Sequence, residues 1–334
     1  MQDSETHTDT SLIRDSKVQN RIPPSASCSL LPDSKIASIK KAIKKLLPDW
    51  CVLLRGWRNA HGTFPRIIRP VTFNEKVLHR ILFDRRAVLT QLADKAAVRS
   101  YVEQRIGPEI LPKLYFLTSH PDTIPFDDLP DRFVVKPTHG SGWVQLVADK
   151  STVDRAALIE LCSDWLKRSY YKETREPAYK HIEPRIMVEE LIDDGNGIAP
   201  NDYKLFVFDG TVRHIRVHSG RFTDHRVGLF TPTWKRVRVG AHFGHDDIVG
   251  DLPPPAHFAE MITAAETLGR DLDFVRADFY DTGERLYFGE LTMTPGAGYS
   301  LLTKEFDRYL GGFWKTPRRY SFGPLSTKPQ RYPS

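Results

Sequence analysis

The amino-acid sequence predicts an α+β protein, in which helical segments alternate with strands that pair mostly as antiparallel hairpins. Asp202–Ser219 contains two apolar runs around Asp209-Gly210, a dipeptide typical of hairpin turns. Phe274–Tyr299 contains two more aromatic-rich runs, with a turn signal at Thr282-Gly283. Helical periodicity before and between these stretches predicts the α component.

Composition and charge are those of a folded chain that does not bind nucleic acid. The 334 residues are 40% apolar and 27% charged, which is enough for a substantial buried core. The net charge is +6, yet Lys35–Arg58 alone contributes +6 and Lys304–Ser334 contributes +5, so the remainder carries about −5. A nucleic-acid-binding face needs basic residues on the folded body, so this distribution argues against nucleic acid as a partner.

Cysteine usage and hydropathy predict a cytoplasmic location. Cys28, Cys51 and Cys162 are odd in number and lack metal-type spacing, as expected in a reducing compartment. No run reaches the roughly 18 apolar residues of a membrane span. The polar N-terminus also lacks the apolar core of a secretory signal.

Both ends of the chain differ in composition from its middle. Residues 1–33 are rich in Ser, Pro, Thr and Asp and are predicted to be a disordered tail, followed by a helical N-terminal region over 34–92. That region begins with an amphipathic helix at 35–47, which has an apolar stripe and five lysines. The helix would either pack on the domain with a solvated basic face or make peripheral contact with an anionic membrane surface at the inner face of the membrane. The basic segment 313–334 is predicted to form a C-terminal tail.

The other elements follow from apolar patterns taken in chain order. The helical pattern after Asn74 breaks at Phe83-Asp84 and predicts two helices, the second ending at Gly107. The further predicted elements are strands at 111–117 and 132–137, a helix at 154–171, a strand at 184–192, the hairpin at 202–219, a helix at 258–272 and the hairpin after 274.

Five motifs carry side chains suited to phosphate and metal chemistry. Backbone amides of a Gly-rich loop approach phosphate oxygens closely, and a lysine supplies the countercharge. Singly the motifs are weak, since a strand lysine is more often an edge residue and GSG after a lysine is not a Walker A loop. In chain order they are Asp94-Lys95 with Arg99; Lys136 with Gly140, Ser141 and Gly142; Glu189, Glu190, Leu191 and Ile192; Asp202-Tyr203-Lys204; and Asp278 with Glu290, accompanied by Arg276 and Thr292.

The last hairpin depends on its register. If its loop is odd-numbered and centred on Glu284, Asp278 faces Glu290 directly, with Cβ atoms ~5 Å apart, so that the two carboxylates share a hard cation. Arg276 would then oppose Thr292. A two-residue turn at Thr282-Gly283 would instead put the carboxylates on opposite faces.

The order and spacing of the five motifs resemble the ATP-grasp superfamily. The matching segments are DK…R, FVVKP…GSG, VEELI and D-x₁₁-E-x-T-x-x-PG, the last in place of the usual D…E-x-N-x-x-PG. Within the superfamily, FNEK, DKAAVRSYV, EPRIMVEELIDDGNG and FGELTMTPGAG are similar to the TupA-like branch, which is associated with teichuronopeptide and other surface-polysaccharide synthesis. The resemblance covers roughly Phe73 to Gly312.

The resemblance implies an ATP-grasp domain at 93–312, in which two α+β subdomains clasp ATP. The lid subdomain would occupy about 131–190 and the metal-binding subdomain about 191–312. Lys95 and Lys136 would meet the phosphates under the Gly140, Ser141 and Gly142 loop, while Glu189, Glu190, Leu191 and Ile192 would hold adenine and ribose.

The metal end follows from the same resemblance. Asp278 and Glu290 would bind Mg²⁺. Thr292 stands where family members commonly carry an asparagine ligand, and its shorter side chain leaves open direct coordination or a bridging water.

The implied activity is that of a Mg·ATP-dependent ligase, which activates a carboxylate as an acylphosphate for capture by an amine. The substrates would be small-molecule or saccharide carboxylates and amines, with Lys204 and Arg276 as catalytic residues. Arg175, Arg185, Arg216 and Arg221 are further candidates for clamping a carboxylate. An ATP-dependent phosphotransferase and a non-catalytic adaptor of polysaccharide assembly are the alternatives.

Overall fold

The computed structural model describes residues 47–193, 199–220, 224–238, 246–248 and 251–317. All of them belong to one unit, 47–334. The predicted tail at 1–33 and the predicted helix at 35–47, apart from its last residue, lie outside the described residues, as does 318–334. No described helix is both long and apolar enough to cross a membrane.

The structure confirms the predicted α+β class. Its helices are α1 (Asp49–His61), α2 (Phe73–Phe83), α3 (Ala87–Ala93), α4 (Ala97–Ile106), α5 (Arg155–Lys167), α6 (Tyr170–Thr174), α7 (Phe258–Gly269) and α8 (Lys304–Phe313). Its strands are β1 (Leu114–Thr118), β2 (Phe133–Pro137), β3 (Gln145–Val147), β4 (Ile186–Glu190), β5 (Asp202–Phe208), β6 (Thr211–Ser219), β7 (Arg226–Phe230), β8 (Asp246–Asp247), β9 (Phe274–Asp281) and β10 (Leu286–Thr292). Short 3₁₀ turns include Pro177–Tyr179 and Pro295–Gly298.

The strands form two sheets. A four-stranded sheet has the order β1-β4-β2-β3, and a six-stranded sheet has the order β10-β9-β5-β6-β7-β8. Neighbouring strands are antiparallel except β7 and β8. The predicted hairpin at 202–219 is confirmed, and its turn residues Asp209 and Gly210 have φ of 46° and 74°, which suits a tight hairpin turn.

One face of the six-stranded sheet is mainly apolar. Alternate residues of β5, β6 and β9 pack there against α7, since successive side chains of a strand point to opposite faces. Leu205, Ala277 and Phe279 are fully buried on this face, opposite Met261 and Leu268 of α7. This layer is the larger of the two cores that enclose the sheet.

The opposite face of the same sheet is divided. Helices α1, α2 and α8 cover one half, where Phe206, Phe208 and Phe274 form an aromatic cluster with Phe73 and Trp314. The other half carries charged residues and lies outside this core. The charged half is therefore the part of the sheet that borders the cleft described below.

The four-stranded sheet also has one apolar and one functional face. Phe133, Val135, Ile186 and Val188 pack against α5. The alternating residues Lys136, Met187 and Glu189 point the other way and border the cleft. This sheet includes β1, which lies before the predicted lid boundary at about 131.

The helical pattern after Asn74 forms three helices, so the prediction of two was wrong. The second predicted helix breaks because Asp94, the last residue before the break, caps the next helix: its Oδ1 accepts hydrogen bonds from the backbone N–H groups of Ala96 at 2.8 Å and Ala97 at 3.3 Å. The break places Lys95 at the junction of α3 and α4. Helix α1 lies within the predicted helical region over 34–92, although its bounds were not predicted, and α8 was not predicted; both contribute to the aromatic half-core.

Candidate active site

The β9–β10 hairpin brings the two predicted carboxylates face to face, by a route that differs from the prediction. Asp278 pairs directly with Glu290, as expected. However, Leu286 pairs with Asp281, so the loop is 282–285 and is not odd-numbered. A β-bulge at Gly289 adds the residue that restores the facing register.

Gly289 suits this bulge because the chains approach closely there. A Cβ atom at this position would lie 3.0 Å from the carbonyl oxygen of Asp278. The prediction that Asp278 faces Glu290 is confirmed, while the assumed loop geometry was wrong.

A row of charged residues crosses four adjacent strands on the uncovered half-face. Glu290 pairs with Asp278, Asp278 with Lys204, and Lys204 with Arg216. Lys204 Nζ donates to Asp278 Oδ2 at 2.6 Å and lies 2.7 Å from Asp202 Oδ2. The row therefore places two carboxylates beside two cations on a rigid sheet.

Arg276 joins the two carboxylates. Its Nε donates to Asp278 Oδ1 at 2.7 Å, and its Nη2 donates to Asp278 Oδ2 at 2.6 Å and Glu290 Oε1 at 3.0 Å. The same Nη2 donates to Thr292 Oγ1 at 3.0 Å, and Thr292 donates in turn to Glu290 Oε1 at 2.9 Å. Thr292 pairs with Arg276 across the strands as predicted.

These contacts set the charge states of the hairpin. Burial favours a higher pKa for Glu290, but Arg276, Lys204, Lys95 and the Thr292 hydroxyl lower it to about 2. Burial likewise favours a lower pKa for Arg276, but Asp278 and Glu290 raise it. Glu290 and Arg276 are accordingly both charged at neutral pH.

The facing carboxylates differ in exposure. The Glu290 side chain is 42% exposed, whereas Asp278 is 2% exposed beneath Arg276 and Lys204. Burial raises the pKa of Asp278, opposed by those two cations. Glu290 thus faces the cleft, and Asp278 supports the cations behind it.

Lys95 is one of the residues that line the cleft. Its Nζ donates to the backbone carbonyl of Gly140, and its own N–H donates to the carbonyl of Thr138. Burial lowers its pKa to about 8, and Lys136 adds to this effect while Glu290 opposes it. These contacts tie the Gly-rich loop to the α3–α4 junction.

Lys136 also lines the cleft. Its Nζ pairs with Glu189 Oε1, and Arg99 Nη1 lies 3.8 Å from Glu189 Oε2. Arg99 also donates to the carbonyl of Pro112 at 2.7 Å. Glu189 is therefore held between two cations on β4, an inner strand of the small sheet.

Lys95, Lys136, Arg99 and Glu189 all line one cleft of about 580 Å³, counting the space open to solvent. Of the predicted site residues, Lys95, Lys136, Ser141, Glu189, Glu290 and Thr292 line it. Asp278 and Arg276 lie directly behind this lining. The structure therefore brings the predicted phosphate end and the predicted metal end together.

Some predicted nucleotide-binding residues do not border this cleft. Glu190 accepts hydrogen bonds from the Lys113 N–H and the Tyr287 hydroxyl, both at 2.9 Å, and so fastens the small sheet to β10. Leu191 and Ile192 are half-buried beyond the end of β4, outside the cleft lining. Gly140 and Gly142 hold the loop rather than line the cleft: a Cβ at Gly140 would lie 2.8 Å from the Trp143 ring, and Gly142 has φ of 75°.

The four arginines considered as carboxylate clamps have different surroundings. Arg175 Nη1 donates to Asp49 Oδ1 at 3.0 Å, and Arg185 lies 3.8 Å from Asp94. Arg216 belongs to the charged row. Arg221 lies outside the described residues.

A tyrosine- and acid-rich segment after α5 closes one side of the cleft, and the motifs did not point to it. Tyr179 lines the cleft and packs on Tyr170, with ring centroids 4.6 Å apart. Buried Glu176 accepts a hydrogen bond from the Thr294 hydroxyl at 2.5 Å, and burial raises its pKa to about 7. This segment lacks a Gly-rich or strand-borne signal, which is why sequence reasoning missed it.

Other lining residues were also missed. Met187, Phe288 and Leu291 provide apolar surface, and although their strands were predicted to carry site residues, these three were given no role. Arg99 was noted only as part of the DK…R motif. Apolar residues on strands ordinarily predict core packing, so no sequence signal separates these three from the core.

The site offers oxygen ligands that suit Mg²⁺ to different degrees. Mg²⁺ prefers oxygen ligands and commonly uses one or two carboxylates together with phosphates and waters. Glu290 fits, since its carboxylate faces the cleft. In this arrangement both oxygens of Asp278 accept hydrogen bonds from Arg276 or Lys204. Thr292 is hydrogen-bonded to both Arg276 and Glu290, which favours a supporting role. In the described part of the chain, no cluster of three or more His, Cys, Asp or Glu side chains suits a metal ion.

Comparison with known families gives one extensive match. A family model described as TupA-like ATPgrasp matches residues 75–315. This range includes every predicted site residue. A search of curated proteins found no match.

Solved structures show more distant similarity. The D-alanine–D-alanine ligase of Bacillus anthracis in complex with ATP is 18% identical, with a TM-score of 0.40, covering 66% of this chain and 62% of that one. The ATP-grasp ligase PsnB with a minimal precursor is 12% identical, with a TM-score of 0.34 and coverages of 66% and 55%. The ADP complex of PurK, an N5-carboxyaminoimidazole ribonucleotide synthetase, is 13% identical, with a TM-score of 0.39 and coverages of 62% and 46%. The chain thus spans less than two thirds of the length of each of these three.

Proposed function

The chain belongs to the TupA-like ATP-grasp family, and from that premise we propose that it is a Mg·ATP-dependent ligase that activates a carboxylate as an acylphosphate for capture by an amine. The main observation in support of this proposal is that Lys95, Lys136 and Glu290 line one cleft. Arg276 lies immediately behind Glu290. Cations for the phosphates and a carboxylate for the metal therefore converge from three separate segments.

In this proposal Lys95 and Lys136 neutralise the phosphates of ATP. Both line the cleft, and the Lys95 Nζ contact with Gly140 holds the loop that carries Ser141 over the same space. Lysines act on phosphate as point charges and tolerate small shifts of the ligand. On binding, the phosphates would replace the present partners of the two lysines, Gly140 and Glu189.

The base of ATP would lie against the apolar part of the lining. Met187 comes from the small sheet and Leu291 from the large sheet, and both line the cleft. Glu189 lines the same cleft and would meet a ribose hydroxyl or the amino group of adenine. Glu190 supports this wall through Tyr287.

The chemistry would proceed in two displacements. A carboxylate oxygen of the first substrate attacks the γ-phosphorus, the bond to the β-phosphate oxygen breaks, and ADP leaves. An amine nitrogen of the second substrate then attacks the acyl carbon, the bond to the phosphate oxygen breaks, and the amine gives up a proton. Phosphoryl transfer depends chiefly on positioning and charge neutralisation, which cations on a rigid sheet provide.

Arg276 and Lys204 are the cations that would act on the transferred phosphoryl group. Arg276 contacts Glu290 directly, and Lys204 lies next to Asp278 in the cross-strand row. Asp278 orients both cations through its hydrogen bonds. Mg²⁺, when bound, would supply charge neutralisation between Glu290 and the phosphates, with Thr292 and Asp278 as supporting oxygens.

The substrate class follows from the family branch. We propose that the carboxylate or the amine is borne by a saccharide or peptide of a surface polysaccharide, since the TupA-like branch is associated with teichuronopeptide and related synthesis. Arg216, next to Lys204, is the clamp candidate best placed for such a carboxylate. We also expect the protein to act in the cytoplasm.

The test combines nucleotide binding with product mass. Purified protein should bind a fluorescent ATP analogue in the presence of Mg²⁺, and a uronic-acid saccharide should stimulate ADP release. A ligase gives a product whose mass includes the amine and lacks phosphate. A phosphorylated product that is independent of amine would establish a phosphotransferase instead, and failure to bind any nucleotide would refute the proposal.

A further inference from the structure

The loop between α1 and α2 displays large apolar side chains on the surface. Phe64 is 67% exposed and Ile68 is 87% exposed. Arg58, Arg66 and Arg69 are exposed beside them in the sequence, and the Arg58 guanidinium lies over the Phe64 ring, 5.1 Å from its centroid. These five residues are termed the loop patch.

The loop that carries the patch is anchored from beneath. The carboxylate of buried Glu75 accepts backbone hydrogen bonds from Arg66 at 3.0 Å, Val71 at 2.8 Å and Thr72 at 3.1 Å. His79 Nδ1 contacts the carbonyl of Ile67 at 2.7 Å. The apolar side chains are thus held outward by the fold, so a partner need not pay for ordering the loop.

The charge of the patch restricts its occupant. Residues 50–72 contain Arg55 and the three patch arginines but no acid. The flanking segments 35–46 and 318–334 carry several bases and no acid, so like charge disfavours either as a cover. A negatively charged partner with an apolar interior fits best.

We propose that the loop patch docks the protein on a membrane that contains anionic phospholipid. Aliphatic Ile68 gains free energy by entering hydrocarbon, whereas it has no aromatic face on which a nucleic-acid base could stack. Arginines attract anionic headgroups while their stems cover apolar surface. This inference concerns residues outside the cleft and does not depend on the proposed ligase activity.

The test is co-sedimentation of the full chain with vesicles. Binding is expected to vesicles of phosphatidylglycerol and phosphatidylcholine in equal parts, and to be much weaker with phosphatidylcholine alone. The double variant Phe64→Ser/Ile68→Ser should lower the partition coefficient at least about tenfold. The double variant Arg58→Gln/Arg69→Gln should weaken binding and make it less sensitive to salt.

Matched controls separate the patch from general surface effects. Leu146→Ser removes an exposed aliphatic side chain from β3, and Lys167→Gln removes an exposed charge from α5. Both should bind vesicles like the parent protein. Every variant should bind ATP analogue normally and keep its melting temperature, which shows that the fold and the cleft are intact.

Three results would overturn the proposal. Unchanged vesicle binding by both patch variants would assign the interaction to another segment, such as 35–47. Equal binding to neutral and anionic vesicles would remove the role of charge. Absence of vesicle binding, with patch-dependent binding to single-stranded RNA or to an acidic protein, would show that the surface serves a different partner.

Discussion

The two halves of one face of the six-stranded sheet differ in their surroundings: helices cover one half, and the other half carries charged residues next to the cleft. In one half, Phe206, Phe208 and Phe274 are covered by α1, α2 and α8 and exclude water. In the other half, Glu290 lines the cleft, and Asp278 and Lys204 follow it in the cross-strand row behind this lining. The strands are continuous through both halves.

The difference shows what determines whether a sheet position becomes core or site. Phe206 and Lys204 are two residues apart on β5 and point to the same face. Phe206 is stabilised by burial among aromatic rings, whereas Lys204 is partly buried and needs Asp278 and Asp202 to compensate for lost hydration. The covered half supplies rigidity, and the uncovered half uses that rigidity to hold charges at fixed positions.

The largest expected effect is a loss of stability when a core residue of the covered half is replaced. Phe274→Ala should lower the free energy of unfolding by about 3–5 kcal/mol, because the fully buried ring packs against Phe73, Phe208 and Trp314. Urea unfolding measures this loss. The matched substitution Phe64→Ala, at an exposed ring, should change stability by less than about 0.5 kcal/mol. Similar losses in both variants would contradict the assignment of Phe274 to a structural core.

The next largest effect is a loss of activity when a charged residue of the uncovered half is replaced, with the core left intact. Glu290→Gln should lower turnover by about 100-fold or more, since it removes the exposed carboxylate that faces the cleft. Steady-state ADP release with substrate measures this effect. The melting temperature should stay close to that of the parent protein. Glu284→Gln, in the loop of the same hairpin, is the control and should keep full activity; an unaltered rate in Glu290→Gln would remove the metal assignment.

A further effect depends on pH and concerns Glu176, whose carboxylate accepts a hydrogen bond from Thr294, just after β10. Glu176 is 6% exposed and, within the described part of the chain, forms no ion pair with a basic side chain. Burial raises its pKa from 4.5 to about 7, so the folded state keeps its proton longer than the unfolded state does. Stability should therefore fall as pH rises from about 4.5 to 7 and stay low above that range, by an amount on the order of 3 kcal/mol.

The substitution Glu176→Gln separates this effect from other titrations. The variant should match the parent protein near pH 4.5 and exceed its stability at pH 8, as measured by urea unfolding across the range. Glu173→Gln, at an exposed acid three residues earlier, is the control. A pH profile identical to that of the parent protein would show that Glu176 titrates normally.

The smallest effect concerns Lys95. Burial lowers its pKa to about 8, so nucleotide affinity should fall as pH rises above that value, by up to about tenfold at pH 9. Titration with ATP analogue between pH 7 and 9 measures this loss. Lys95→Arg should bind with much less pH dependence, because an arginine keeps its charge. An equal decline in both proteins would assign the effect to another group.

Much of the fold and of the site follows from local pattern. The hairpin at 202–219 was predicted from Asp209-Gly210, because few residues other than Gly, Asn and Asp adopt positive φ easily. Lys136 was placed on a buried strand by its apolar neighbours, and the structure lines the cleft with it. These inferences succeed because strand alternation and turn chemistry act over a few residues.

The errors arose where side-chain capping or contacts between segments, and not apolar periodicity, decide the local conformation. Asp94 ends α3 because its carboxylate caps α4, and this capping competes with continuation of the helix. Gly289 forms a bulge because β9 approaches it closely. The role of Tyr179 depends on the packing of its segment against the cleft, which no spacing in the sequence reveals.

The sequence by itself determined the α+β class, the family and the motif residues, since these depend on residue type and short-range spacing. Only the tertiary structure decided which half of a sheet face is covered, which carboxylate faces the cleft and which contacts Arg276 makes. Those outcomes depend on burial and on charges brought together from segments far apart in the chain. The free energy of a buried charge is set by its neighbours in space, and these come from segments that sequence spacing does not link.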